Sequence, residues 1–256
     1  MEEKTSSIVA IHKIVEILRA FSPDSPEIGI RELAQKIGMP KSTVHRYLVA
    51  LKQDGLVELN PNTSRYHLGL ELVAIAVTAL RNMDVRRASL QMMNWLAERW
   101  KETIDLDVLS GTHIITIEQI PGQHILNTGG TFAARLPAHC TSTGKVLLAY
   151  AGPEYILEHF PDELPKLTRD TITSRSALLQ ELEQICRQGY ARSWGEHEEY
   201  VHALGVPIRD LTGKVVAALS ISGLATRIGE DTAEEMVKHL KSAATKISAG
   251  LGYVGI

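Results

Sequence analysis

The chain has 256 residues, a formal net charge of −3 and an ordinary balance of 44% hydrophobic and 22% charged residues. That length suits one large domain or two modest ones, and the composition excludes collagenous, disordered and disulfide-scaffold classes. The whole-chain charge points to no nucleic-acid partner, and 5% aromatic residues are few for a protein that stacks single-stranded bases.

In chain order, the N-terminus is acidic and polar and lacks the features of a secretory signal. Residues 8–20 carry Ile8, Ile11, Val15 and Leu18 at helical spacing, with Ile14 and Ile17 widening the stripe. Phe21-Ser22-Pro23-Asp24-Ser25-Pro26 then makes a turn. A second helix is expected over 30–37, with Leu33, Ala34 and Ile37 on one face and Gly38 suited to its C-terminal cap. Pro40 disfavours helical geometry at Met39 and sets a corner. A third helix follows over 41–54, apolar at Val44, Tyr47, Leu48 and Leu51. Residues 55–59 and 65–68 alternate as a β-hairpin around the polar turn at 60–64. Three helices and a hairpin are the order of a winged helix-turn-helix.

Residues 69–83 are a further apolar helical run, which Asp84-Val85 breaks before helix resumes over 86–102. An apolar linker helix of this kind often buries its stripe against a second copy. Strands are then expected at 103–109, 114–119, 125–128, 203–208 and 215–222. Helices are expected at 143–151, 153–159, 176–189 and 231–251, and Gly129-Gly130 supplies a turn. The division is 1–68 for a DNA-binding domain, 69–84 for a helical linker and 85–256 for an α+β or α/β sensor-sized domain.

A helix-turn-helix presents the first residues of its second helix to the major groove. Here they are Lys41, Ser42, Thr43, His45 and Arg46, with Arg46 able to grip guanine O6 and N7 or a phosphate. Arg31 adds charge, and Asn62 and Arg65 mark the hairpin tip and its flank, placed to meet the backbone or minor groove. Residues 29–67 hold six bases and three acids, so this segment is +3 within an acidic chain. A module that packs helices, or binds protein, is the alternative to DNA binding.

No full catalytic motif is present in the second part. Thr143-Gly144-Lys145 lacks the upstream glycine of a phosphate loop, and His139 beside Cys140 lacks the geometry of an oriented base. The run Glu196-His197-Glu198-Glu199 reads as a solvated face or helix start. The two cysteines, Cys140 and Cys186, have no metal-ligand spacing and read as reduced thiols of a cytoplasmic protein. Neither a metal nor a cofactor is expected. No apolar run reaches membrane-spanning length. Ser220 and Ser222 share one face of an otherwise apolar strand, which suits a small polar ligand or local backbone bonding.

Three ordered blocks carry a resemblance. The first is Gly29-Ile30-Arg31-Glu32-Leu33-Ala34 through Met39-Pro40-Lys41-Ser42-Thr43-Val44-His45-Arg46, then Leu51 and Gly55-Leu56-Val57. The second runs from Leu136-Pro137-Ala138-His139-Cys140 through Thr141-Ser142-Thr143-Gly144-Lys145 to Ala149. The third is Gly189-Tyr190-Ala191, Glu198-Glu199, Gly205-Val206-Pro207-Ile208, Gly213 and Ala217-Ala218-Leu219-Ser220-Ile221-Ser222-Gly223. The chain resembles the IclR-type transcriptional regulators along nearly its whole length. That resemblance implies a winged helix-turn-helix, a helical linker and a GAF-like α/β effector domain. It implies a cytoplasmic homodimer or dimer of dimers, most often repressing a catabolic operon on double-stranded operator DNA. It implies an organic-acid effector whose carboxylate meets backbone amides at Ser142 and Thr143 and hydroxyls at Ser220 and Ser222. Anions favour such a helix start because of its unpaired N–H groups and dipole.

The chain departs from the family in two places. Ala203 stands where a pocket cysteine is common, and Thr103, Asp105 and Asp107 put acid on one strand face. If Asp105 and Asp107 face the pocket, the ligand should offer several hydroxyls or a cation, as a sugar acid would; otherwise the strand faces solvent. An enzyme with an appended winged helix is the competing class.

Overall fold

A computed structural model describes residues 2–22, 25–124 and 134–255, with side chains from residue 10 onward. The strand expected at 125–128, the turn at Gly129-Gly130 and part of the 21–26 turn lie outside the described residues. The chain divides into two compact units, Met1–Asn82 and Met83–Ile256.

The first unit is a winged helix-turn-helix: α1 (Glu2–Arg19), α2 (Ile30–Lys36), α3 (Lys41–Gln53), a hairpin of β1 (Val57–Leu59) and β2 (Tyr66–Leu68), then α4 (Leu70–Arg81). Its core gathers Ile17, Ile28, Leu33, Val44, Leu48, Leu51, Val57 and Tyr66. The α1 stripe is rotated from the sequence expectation. Ile17 is buried and Ile14 and Leu18 pack on the core, whereas Ile11 and Val15 are exposed. All six positions are apolar, so periodicity could not choose the core-facing set. Gly38 takes a left-handed φ of 64° and turns α2 into the corner before Pro40.

Ile28 pairs with Tyr66 and adds a bridge to the wing that the sequence did not show. Gly69 closes the other side, where its N–H donates to the Leu56 carbonyl at 2.9 Å. A Cβ there would sit 2.0 Å from the Gly55 carbonyl oxygen.

The second unit begins with α5 (Asp84–Trp100), so the break falls at Asn82-Met83, not at Asp84-Val85. Asp84 opens the helix instead of ending one, as an acid does favourably in a first turn. Six antiparallel strands follow: β3 (Thr103–Ser110), β4 (His113–Ile120), β5 (Arg135–Pro137), β6 (Ala191–Trp194), β7 (Val201–Arg209) and β8 (Val215–Leu224). Their order is β5-β4-β3-β8-β7-β6. The short β5 and β6 carry too few residues to announce themselves by alternation. The helices are α6 (Ser142–Ala151), α7 (Pro153–His159), α8 (Arg175–Gln188) and α9 (Glu230–Gly250). Helix α6 lies on the sheet with α7 and α8 beside it, while α5 and α9 pack with each other and with the sheet. The fold is α+β, with a GAF-like second unit.

Gly69→Ala should force the β2–α4 junction away from the Gly55 backbone and cost about 1–3 kcal/mol. A lower urea midpoint for the N-terminal unit is the expected result, and an unchanged midpoint would refute the tight closure.

Candidate functional site

In the first unit, Val44, Leu48 and Leu51 bury one face of α3. The other face exposes Lys41, Ser42, His45 and Arg46, with Thr43 half-buried. Arg46 lies over the Tyr47 ring, 5.7 Å from its centroid. Arg31 is exposed on α2, and Asn62 is exposed in the hairpin turn.

Arg65 also makes contacts within the unit that the sequence did not show. Its Nη2 donates to the Glu27 carbonyl at 2.9 Å and to Glu32 Oε2 at 2.7 Å. Asn60 and Thr63 donate to the Glu27 carboxylate at 2.8 and 3.0 Å, and these two bonds are the leading causes holding Glu27 below the usual carboxylate range. Arg65 therefore ties the wing to α2, and much of its charge is met within the unit.

In the second unit, a cavity of about 210 Å³ opens on one face of the sheet. That is smaller than the ~300–1,000 Å³ clefts that hold drug-sized ligands. Asp105, Asp107, Ser142, Thr143, Ala203, Ser220 and Ser222 all line it. The register explains the convergence. Gln119, Asp105, Ser220 and Gly205 are successive cross-strand partners on β4, β3, β8 and β7. Two residues along the strands lie Thr103, Ser222, Ala203 and Ser193. On the opposite flank Thr116, Asp107 and Ala218 are aligned.

The solvent-facing alternative for β3 is thereby excluded: Asp107 is 2% exposed. Gln119 Nε2 donates to Asp105 Oδ1 at 2.6 Å, and Ser222 Oγ donates to Asp105 Oδ2 at 3.2 Å. Thr143 Oγ1 donates to Asp107 Oδ2 at 2.6 Å. Asp107 Oδ1 is buried and makes no hydrogen bond of ordinary geometry among the described residues, although the hydroxyl of its cross-strand partner Thr116, like that of Thr143, acts to lower the carboxyl against the larger effect of burial. Burial first, and then the charge of Asp105, pushes the Asp107 carboxyl up to about 7; burial also raises Asp105.

The first turn of α6 forms another wall. Thr141 caps it, its Oγ1 accepting from the Gly144 N–H at 3.3 Å. Gly205 permits the approach, since a Cβ there would sit 2.9 Å from the Ser142 carbonyl carbon.

The run 196–199 is neither a helix nor wholly solvated. Glu196 is buried and accepts from Lys145 Nζ at 2.6 Å, while Glu181 accepts from the same ammonium at 3.2 Å. Lys145, 1% exposed, is thus engaged by protein carboxylates, which removes the phosphate-loop reading of Thr143-Gly144-Lys145. His197 and Glu198, from the same run, line the cavity. Burial lowers the His197 pKa, which favours its neutral form.

His139 Nε2 donates to the Pro165 carbonyl at 2.9 Å, and Cys140 Sγ donates to the Pro137 carbonyl at 3.5 Å. Burial, and then Glu196, pushes the Cys140 thiol up to about 12, far from a reactive thiolate. Both cysteines are free. Among the described residues no three His, Cys, Asp or Glu side chains are grouped to hold a metal ion. No described helix is long and apolar enough to cross a membrane.

Sequence reasoning missed Thr116, Gln119, Ser193, His197 and Glu198. Thr116 and Gln119 lie within an expected strand, but only its pairing with β3 reveals them.

The domain family of the bacterial transcriptional regulator IclR C-terminal region matches residues 77–249, and that of the IclR helix-turn-helix domain matches residues 10–61. The HTH-type transcriptional regulator KdgR of Escherichia coli is 36% identical, over 99% of this chain and 96% of that protein. The HTH-type transcriptional regulator XynR of Escherichia coli is 31% identical, over 96% of this chain and 98% of that protein. A similar solved structure is an IclR homologue from Microbacterium hydrocarbonoxydans complexed with 4-hydroxybenzoate. It shows a TM-score of 0.79 and 28% identity, over 94% of this chain and 98% of that one.

Between pH 4 and 7 folded Asp107 holds a proton that the unfolded chain has released, so this group makes stability fall as pH rises. Asp107→Asn lacks that proton. Its melting temperature relative to the parent should rise from about pH 5 to about pH 8. A constant offset would refute the raised carboxyl.

Proposed function

The chain belongs to the IclR family of bacterial transcriptional regulators, and from that premise we propose that it represses a catabolic operon under control of a small organic acid. One observation supports the reading above the others. The same chain carries an exposed basic face on α3 and, in its second unit, a small cavity whose polar groups converge from four strands and a helix start.

For DNA, Lys41, Ser42, Thr43, His45 and Arg46 are the base- and phosphate-facing residues, with Arg31 and Asn62 on the flanks. Arg65 acts chiefly by holding the wing. For the effector, the first turn of α6 takes the carboxylate through Ser142 and Thr143, with Ser220 and Ser222 beside it. Ala203 leaves room where a larger side chain would intrude. Asp105 and Asp107 favour an acid that also carries hydroxyls, as a sugar acid does. The relative bound to 4-hydroxybenzoate is one family member that holds a small organic acid.

The active species is a homodimer or dimer of dimers. Helix α4 has no buried residue within its unit and exposes Leu70, Val73, Ile75 and Val77; a second copy would cover that face. The divisions 1–68, 69–84 and 85–256 serve operator binding, linkage and sensing. The effector acts only through its different affinities for two arrangements of the paired reading heads. An operator-bound protein of this kind works in the cytoplasm.

Arg46→Ala should weaken binding to a duplex selected by the parent chain by about 1–3 kcal/mol. Fluorescence anisotropy reads this, and unchanged affinity would remove Arg46 from the interface. Among sugar, aromatic and short keto acids, any that binds should raise the melting temperature. The Ser220→Ala, Ser222→Ala double variant should lose that rise yet keep its duplex affinity. An undiminished rise would move the effector elsewhere.

A further inference from the structure

We propose that the ion pair between Arg86 and Glu118 is a positioning element of the regulator: it carries the state of the cavity to the start of α5, and so to the chain arriving from the DNA-binding unit. This rests on the reading of the second unit as an acid sensor.

Strand β4 serves both ends of the link. A regular strand sends alternate side chains to opposite faces, so Thr116 and Gln119, three residues apart, would not share one. Here both line the cavity. A β-bulge accounts for it. Glu118 pairs with Leu106 and Thr116 with Asp107, which leaves Ile117 as the extra residue. Gln119 is thereby turned into the cavity, and its neighbour Glu118 meets α5.

A continuous set of polar contacts results. Gln119 Nε2 donates to Asp105 Oδ1 in the cavity at 2.6 Å. The backbone N–H of the same Gln119 donates to Glu118 Oε1 at 3.2 Å. Glu118 Oε2 takes Arg86 Nη2 at 2.7 Å. Arg86 stands in the first turn of α5, close behind Asn82, where the first unit ends. A ligand group that meets Asp105 or the Gln119 carboxamide competes for the first of these bonds. The bulge, where the ladder is already interrupted, lets the backbone of β4 follow.

The link is also able to change partners. Arg86 Nε is buried and makes no hydrogen bond among the described residues, so its guanidinium is not bonded to capacity and a second arrangement can compete with this one. The Glu118 side chain is only 12% exposed, so solvent and salt screen the pair weakly. At the far end of α5 the pair of Arg99 with Glu235 is half exposed on both sides and touches no cavity residue, which makes it the natural control.

The test uses the full chain and reads its affinity for a duplex selected by the parent, by fluorescence anisotropy, with and without gluconate, 4-hydroxybenzoate or pyruvate, each first assayed for binding by calorimetry. A bound acid should change the duplex affinity of the parent about fivefold or more. In Arg86→Ala and in Glu118→Ala that change should fall below about twofold, while acid affinity and acid-free duplex affinity stay within about threefold of the parent. Arg86→Lys, which keeps a cation of similar reach, should recover much of the acid effect, and Arg99→Ala should retain it. An acid effect unchanged in both alanine variants would overturn the link, and so would its equal loss in Arg99→Ala. Loss of acid affinity or of acid-free duplex affinity in the alanine variants would make the pair a scaffold for one of the sites and would also overturn it. In each of these cases the sensor reading stands. If none of the three acids binds, or a bound acid leaves the parent's duplex affinity unchanged, the sensor reading falls and the link with it.

Discussion

Helix α6 can sit so close to β7 and to the turn at 138–140 only because two positions lack a side chain. At Gly205 a Cβ would meet the Ser142 carbonyl carbon at 2.9 Å, and at Gly144 it would meet the Ala138 carbonyl oxygen at 2.3 Å. Backbone therefore rests on backbone. The first turn of α6 lies beside Gly205, the cross-strand partner of Ser220, and Thr143 reaches Asp107. At the end of the same turn, Lys145 fastens the helix to Glu196 and Glu181. Removing one partner of a buried pair typically costs about 3–5 kcal/mol, so the loop that bears His197 and Glu198 is firmly tied to α6. The cavity is a consequence of this seating.

The wing of the first unit is fixed by the same kind of tie. Glu27 gathers Asn60 and Thr63 with its side chain and Arg65 with its carbonyl. The apolar core settles which faces meet, and these short polar contacts settle where the hairpin turn points. They also use up charge. Arg65 is met by Glu32. The exposed bases of residues 29–67 include Arg31 on α2 and Lys41, Arg46 and Lys52 on α3. Such a modest charge would give a small counterion-release contribution to duplex binding from a single copy.

The cavity divides its electrostatics in a way that bulk charge hides. A helix start favours negative charge, and a buried carboxyl opposite it keeps a proton to near neutrality. A site built of short dipoles and hydroxyls, without a fixed cation in its described lining, depends on geometry for its selectivity more than on net attraction.

The sequence by itself determined the winged helix-turn-helix, most of the strands and helices of the second unit, and the family. These rest on local signals: Gly38 and Pro40 at a corner, alternation in the strands, and ordered blocks at fixed spacing. Ser220 and Ser222 were legible for the same reason, because two residues apart on a strand means one face. Tertiary structure alone decided that Ile17, not Ile11, faces the core, that Asp107 is buried, that Glu196 pairs with Lys145, and that Arg65 closes the wing. Each of those outcomes depends on partners 33 to 51 residues away or on which strand lies alongside. Periodicity records that a residue has a buried side; only the assembled sheet and its packed helices determine what that side meets.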